Sequence, residues 1–342
     1  MLPLLFSGDI HNYLPEETMV IKPILLFGLP RSGTTWIGKV FDSHPATLYR
    51  HEPDSGGALD AVLPLLPDVQ DSSSYAPALS AFIDALPENR SLRVTGKLPV
   101  FPKAYHLPLG FALRRGLLLG GKAAGRWISV PPLPEFVRRS HREPVYLTWK
   151  SIESLGRLGV FARAVPNARA VHIMRHPCGY VASVLSGEAH GLLPGAVPAS
   201  EDYGIIEMLL ETAPARRAGM TLEQLQGLQP VERLAWRWRL FNEKALEDLA
   251  GLDNAHTVLY EDLCEAPVDA YRKLFDFAEL PWHPQTEAFV SQSTQSERAA
   301  YFSVFKDPKR AAWSWREKLS TEDQALIMAT VANSPAGALY QP

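Results

Sequence analysis

The run "ILLFGLPRSGTTW", residues 24–36, constrains this chain more than any other stretch. "ILLFG" is a short apolar run bounded by Pro23 and Gly28, and "TTWIGKVFDSHP" continues with helical spacing until Pro45 ends it, so a buried strand passes through a glycine loop into a helix. The loop has the frame of a phosphate-binding P-loop: Gly28, four residues, Gly33, then a position for Lys and one for Ser or Thr. Thr35 meets the last requirement, but Thr34 stands where Lys is expected, and a cation comes early, at Arg31. Unpaired backbone N–H groups and the helix dipole make an anion site whichever residue fills the Lys position. The departure weakens the case for a triphosphate, whose Lys spans the β and γ phosphates and whose Ser or Thr holds magnesium. Arg31 instead offers a fixed, bidentate cation suited to a terminal phosphate or a bridging oxygen. Trp36 offers a flat face on which a base can stack.

The rest of the chain repeats the alternation of strand and helix. Residues 144–149, 168–174 and 255–260 are expected as buried parallel strands, with helices at about 153–164, 178–188 and 266–278. A long helix is expected over 230–251, opened by Pro230 and closed by Gly251; its "LAWRWRLF" belongs either to the core or to an interface. Residues 54–143 break the pattern with Pro, Gly and helical pieces. They are expected to form a helical or irregular insertion, or cap, inside one domain spanning 1–342. The fold class expected is α/β: a single P-loop-like domain, its central, mostly parallel sheet flanked by helices. In such sheets ligands bind at the carboxyl ends of the strands. Arg175 stands there, and Ser183 follows eight positions later in the next helix, so the Arg can clamp a second phosphate with the Ser hydroxyl as another donor.

Composition narrows the partners. With 34 basic and 37 acidic residues the formal charge is −3, so bulk electrostatics do not drive the chain onto nucleic acid. Two cysteines, Cys178 and Cys264, fit a reducing compartment and leave a single bridge open. Without an 18-residue apolar run or a secretion signal at the start, the expectation is a soluble, cytoplasmic chain.

Together the loop, Arg175 and Ser183 resemble the sulfotransferase superfamily, in the manner of its bacterial members, which transfers a sulfuryl group from 3′-phosphoadenosine-5′-phosphosulfate (PAPS). "PRSGTTW" resembles the family's 5′-phosphosulfate loop, which implies donor contacts from Arg31, Ser32, Gly33, Thr34, Thr35 and Trp36. Arg175 and Ser183 resemble its 3′-phosphate site. "WKS" at 149–151 resembles the family's Lys-bearing strand end, here Lys150, and "VLYEDL" resembles a segment whose Tyr, here Tyr260, lies near the adenine. A basic C-terminal loop of the family implies Lys306 and Arg310 over the 3′-phosphate, although the same stretch reads equally as a solvated helix start. The resemblance implies PAPS as donor, 3′,5′-adenosine bisphosphate as product, and no metal, since a sulfuryl group carries one negative charge fewer than a phosphoryl group.

An acceptor hydroxyl needs a general base within hydrogen-bond reach. Glycan-directed members use a Glu shortly after the helix that follows the loop, which implies Glu52; His51 beside it stands second and Glu153 is a lesser candidate. Arg31 and Lys150 are expected to act on charge developing at the transferring group. The acceptor remains open among glycan, lipid and secondary-metabolite hydroxyls, or an amine, in a pocket walled by 54–143 and parts of 190–230. Residues 111–127, basic and apolar with four glycines, read as a lid, a surface for an anionic acceptor, a lipid-facing helix or an exposed helix. A P-loop small-molecule kinase and a non-catalytic nucleotide-binding protein are the alternative functions.

Overall fold

A computed structural model describes residues 10–11, 22–125, 127–138, 141–191, 197–295 and 307–341. Its centre is a five-stranded, all-parallel sheet: β1 (Ile24–Gly28), β2 (Thr47–His51), β3 (Tyr146–Ser151), β4 (Arg169–Met174) and β5 (Ala255–Leu259), in the spatial order β2-β3-β1-β4-β5. β1 is buried along its whole length. Leu25 and Phe27 enter one hydrophobic cluster, with Leu147, Trp149 and Ala170, while Ile24 and Leu26 enter another on the opposite face, with Val171, Ile173 and Val258. Burial on both faces is why the strand reads as a continuous apolar run rather than an alternating one.

Helix α1 (Thr34–Ser43) carries the chain from β1 to β2, two strands away, while β3 leads through helix α4 (Leu158–Ala164) to β4 on the other side of β1. The connections therefore part at the carboxyl end of β1, the place where a parallel sheet opens a crevice. β4 is followed by α5 (Pro177–Ala189), and α6 (Pro230–Leu249) packs against that side. Pro230 opens α6, and a capping box between Gln229 and Glu232 satisfies its first donors. Trp238 in α6 is fully buried, so the Trp-rich segment belongs to the core at that position.

Three departures from the sequence reading concern the sheet and its flanks. β2 was not expected: "TLYRH" carries an Arg and a His, yet all five residues are buried. Their polar groups have partners, with Arg50 donating to the carbonyls of Leu86 (2.9 Å), Pro87 (2.5 Å) and Tyr49 (3.2 Å). The strand expected at 144–149 runs from Tyr146 to Ser151, which places Lys150 inside the strand. The helix expected over 153–164 is a short 3₁₀ turn at Leu155–Arg157 followed by α4.

Residues 54–143 hold α2 (Ser72–Ala85) and α3 (Gly110–Ala124), a short helix at Leu92–Thr95, and Val137–Arg138, which pairs with Ile10–His11. Buried arginines tie this segment down. Beside Arg50, Arg157 donates to the carbonyls of Pro64 (2.9 Å) and Leu63 (2.8 Å). Both cysteines are buried and free.

Candidate active site

The loop after β1 is closed by Ser32 N–H donating to the Leu29 carbonyl at 3.2 Å. Gly33 caps α1 with φ 81°, and a Cβ there would lie 2.3 Å from Cδ2 of Tyr260, so both backbone conformation and space demand glycine. α1 has no side-chain cap and no acidic residue in its first turn, so its positive end faces the loop without an anion of its own. Ser32 and Thr34 are buried and Thr35 is half-buried. Arg31 sits at φ 73°, a left-handed conformation costing on the order of 1 kcal/mol for a residue with a Cβ.

That conformation turns Arg31 toward α5. Its Nε donates to Ser183 Oγ at 3.0 Å, and its carbonyl receives Nη1 of Arg175 at 2.8 Å. Arg175 Nη2 donates to the Ala311 carbonyl at 2.8 Å, and its guanidinium lies 5.0 Å from the centre of the Tyr260 ring. Nε of Arg175 is buried with no hydrogen-bond partner among the described residues. Trp238 Nε1 fixes the Arg175 carbonyl at 2.9 Å. Residues separated by more than 140 positions thus form one cluster. Trp36 lies behind it: its ring is 9% exposed, meets Tyr260 and Tyr271 edge-on, and donates Nε1 to Ser293 Oγ at 3.0 Å.

Lys318, an exposed residue, lies within electrostatic reach of this cluster. Burial lowers the pKa of its ammonium, and the nearby cations Arg175, Arg31 and Arg310 lower it further. Arg310 lies in α7 (Pro308–Trp313), whose start is capped by Asp307 through the Arg310 N–H at 3.2 Å. Lys306 lies outside the described residues.

Lys150 and Glu52 meet on the other side of β1. Register sets this contact: His51 pairs with Lys150, and Glu52 N–H donates to the Lys150 carbonyl at 2.8 Å. Lys150 Nζ, 1% exposed, donates to Glu52 Oε1. Burial lowers the Lys150 pKa, and the Glu52 carboxylate works against that shift. Glu52 takes φ 51°, and Arg93 Nη1 holds its carbonyl at 2.8 Å. His51 Nδ1 lies 2.9 Å from the Tyr49 hydroxyl and Nε2 lies 3.7 Å from Glu52 Oε1, beyond hydrogen-bond length. Burial depresses the His51 pKa far below its usual value, reinforced by Lys150 and Lys97. Glu153 is exposed and accepts from Gly56 N–H at 3.2 Å.

Sequence reasoning missed several contributors. Asp54, 1% exposed, accepts from Trp149 Nε1 (3.1 Å), Ser154 Oγ (2.6 Å) and Ser151 Oγ, and so anchors the turn after Glu52 to the strand end bearing Lys150. No motif in "HEPDS" marks Asp54, whose role appears only from its burial and its partners. Arg93 and Lys97 come from 54–143, where no motif marks them. Lys318 lay in a stretch recognised as basic, but its electrostatic reach to Arg31 depends on the turn of chain between α7 and Leu319.

Residues 23–192 match the family model described as "Sulfotransferase family". No curated protein sequence matches the chain. Among solved structures it is similar to the sulfotransferase domain from the curacin biosynthetic pathway, at 17% identity over 91% of this chain and 97% of that one, with a TM-score of 0.42. It is similar also to the sulfotransferase domain of the Synechococcus PCC 7002 olefin synthase (16% identity, 96% and 98% covered, TM-score 0.45). A third is a mouse sulfotransferase complexed with PAP (13% identity, 98% and 97% covered, TM-score 0.40).

Proposed function

We propose that this chain, whose residues 23–192 match the sulfotransferase family model, transfers a sulfuryl group, with PAPS as the donor, a hydroxyl as the acceptor and Glu52 as the general base. The observation that carries this reading is the cluster of Arg31, Ser183 and Arg175 beside the loop, with the buried Arg175 Nε unpartnered among the described residues. A buried donor left without an acceptor is costly, and a phosphate oxygen would relieve it. The residues present therefore fit the donor. When bound, PAPS supplies a sulfuryl group on a phosphate leaving group, together with a 3′-phosphate that ATP lacks.

In this reading Arg175, Arg31 and Ser183 hold the 3′-phosphate, with Lys318 and Arg310 adding positive potential. Ser32, Thr34, Thr35 and the first N–H groups of α1 receive the 5′ group, where the helix dipole and Gly33 allow close approach. Tyr260, packed on Gly33 and supported from behind by Trp36, bounds the adenine side.

Glu52 takes the proton of the acceptor hydroxyl on a carboxylate oxygen. The Lys150 ammonium donates to oxygen on which negative charge develops. Asp54 and Arg93 fix the turn that aims Glu52, and the left-handed backbone at Glu52 is maintained by those bonds. His51 is the weaker base: burial, reinforced by Lys150 and Lys97, holds its pKa far below the usual value, and its Nε2 lies 3.7 Å from Glu52 Oε1, beyond hydrogen-bond length. Residues 54–143, which place Arg93 and Lys97 near this pair, form one wall of the acceptor side within a single domain.

Calorimetric titration without metal tests the donor: 3′,5′-adenosine bisphosphate should bind at micromolar concentration and 5′-AMP at least about tenfold more weakly. Binding of ATP with magnesium alone would remove the PAPS reading. With labelled PAPS and a panel of hydroxyl acceptors, Glu52→Gln should lower kcat by about 100-fold or more while the bisphosphate still binds. An unchanged kcat would transfer the base role away from Glu52.

A further inference from the structure

Ten large apolar side chains are exposed among the described residues, and seven of them fall between Leu98 and Ile128. α3 organises this patch. Its buried positions are Gly110, Arg114 and Leu118, spaced four apart. Helical geometry then puts Leu109, Leu113 and Leu117 along one exposed flank, Arg115 and Lys122, seven apart, along the other, and small residues such as Ala112, Gly116 and Gly120 on the crest between. Trp127 and Ile128, 77% and 62% exposed, extend the apolar surface past the helix end. An apolar stripe of this length with no covering element among the described residues is unusual on a soluble face.

Charge decides what covers it. Residues 89–134 contain eight basic residues and no acidic one, in a chain whose net charge is −3. Lys103 and Arg114 pair with buried Asp42 and Glu135, whereas Arg93, Arg115 and Lys122 are exposed. A second copy docking through the same face would set these cations against themselves. A neutral apolar ligand would leave the cations at its edge without a role. An anionic lipid surface satisfies both, with apolar side chains entering the acyl boundary, cations at the headgroups, and Trp127 at the interface. No helix among the described residues is long and apolar enough to cross a membrane, and α3, at about 22 Å, suits lying in the interface.

We propose that α3 and the turn through Ile128 form an interfacial surface that docks this protein on bilayers containing anionic lipid. The surface borders the candidate site. A Cβ at Gly121 in α3 would lie 3.7 Å from Cδ2 of Leu92, so α3 packs against the short helix Leu92–Thr95, whose Arg93 donates to the Glu52 carbonyl at 2.8 Å. On the sulfuryl-transfer reading, a hydroxyl-bearing amphiphile in that bilayer would be presented near Glu52 and Lys150. The docking itself does not require that reading.

Flotation of the full chain with phosphatidylcholine vesicles containing about one-third phosphatidylglycerol, without donor or acceptor, tests it. The protein should float with these vesicles and bind pure phosphatidylcholine at least about tenfold more weakly. Arg115→Glu with Lys122→Glu should weaken binding about tenfold or more, and so should Leu117→Ser with Trp127→Ser, with unchanged melting temperatures. Met208→Ser, an exposed apolar residue outside the patch, should bind as the wild type does. Failure to float with anionic vesicles overturns the proposal, as does binding that none of the patch variants weakens. A wild-type dimer that Leu117→Ser with Trp127→Ser returns to monomer, without vesicle binding, would overturn it in favour of self-association. Because no sulfuryl transfer is measured, these outcomes are independent of the donor assignment.

Discussion

Two cation clusters in this molecule use their charge in opposite ways. Between α1, β2 and α3, Lys39 and Lys103 pair with Asp42, at 2.6 and 3.0 Å, while Arg50 and Arg114 pair with Glu135, at 3.2 and 3.0 Å. At the carboxyl ends of β1 and β4, Arg175 instead donates to two backbone carbonyls and Arg31 to a serine hydroxyl. In the first cluster carboxylates cancel the positive charge. Burial raises the Glu135 pKa, but Arg114, His106 and Arg50 outweigh it and hold the carboxyl well below its usual range. In the second, burial lowers the Lys318 pKa and the nearby Arg175, Arg31 and Arg310 lower it further, with Glu317 opposing. A paired buried cluster holds the fold, whereas a cluster bonded to neutral oxygens keeps its potential for an incoming anion.

The comparison breaks most sharply at Glu135. Glu135→Gln leaves Arg50 and Arg114 as uncompensated buried charges and should cost about 3–5 kcal/mol in denaturant unfolding, with the affinity for 3′,5′-adenosine bisphosphate unchanged. Loss of nucleotide binding at full stability would reverse the roles assigned to the two clusters.

Acid should act through the fold rather than through the cations. Burial depresses His44, His172 and His176 to about 4, the latter reinforced by Arg316 and Arg175. The unfolded chain binds those protons near pH 6.5 and the folded chain near pH 4. Stability is therefore complete above about pH 6.5 and falls as pH drops toward 4, by on the order of 3 kcal/mol for fully buried His172 alone. Urea midpoints that stay flat from pH 7 to 4 would contradict this.

At the second cluster, Arg175→Ala should weaken the bisphosphate about 100-fold by calorimetry, with a smaller loss of stability than Glu135→Gln. Lys318→Ala, at the solvent edge, should weaken it about fivefold, more at low salt than at high, and leave the melting temperature in place. An equal effect at both ionic strengths would mean that Lys318 acts by packing.

Much of the sheet was legible because its inner strands are buried on both faces; the edge strand β5, also expected as buried, buries only Val258 and leaves His256 exposed. Continuous apolar runs such as "ILLFG" and "ARAVHIM" have few other uses at that length, and the structure places strands at Ile24–Gly28 and Arg169–Met174. β2 was illegible for the complementary reason. Its Arg50 is buried only because carbonyls and Glu135 from 86–135 come to meet it. The site divides in the same way. Loop, Arg175 and Ser183 stand out as motif positions, but that Arg31 bonds Ser183, or that Lys318 approaches both arginines, appears only once β1, α5 and the C-terminal segment are assembled.

By itself the sequence determined the strand, loop and helix that make an anion site, because glycine spacing and a helix start act within a dozen residues. It determined also the charge imbalance of 89–134, which is composition alone. Tertiary structure decided which cations stay available and which are cancelled. That outcome depends on carboxylates brought in from distant segments and on desolvation, and neither exists until the chain is packed.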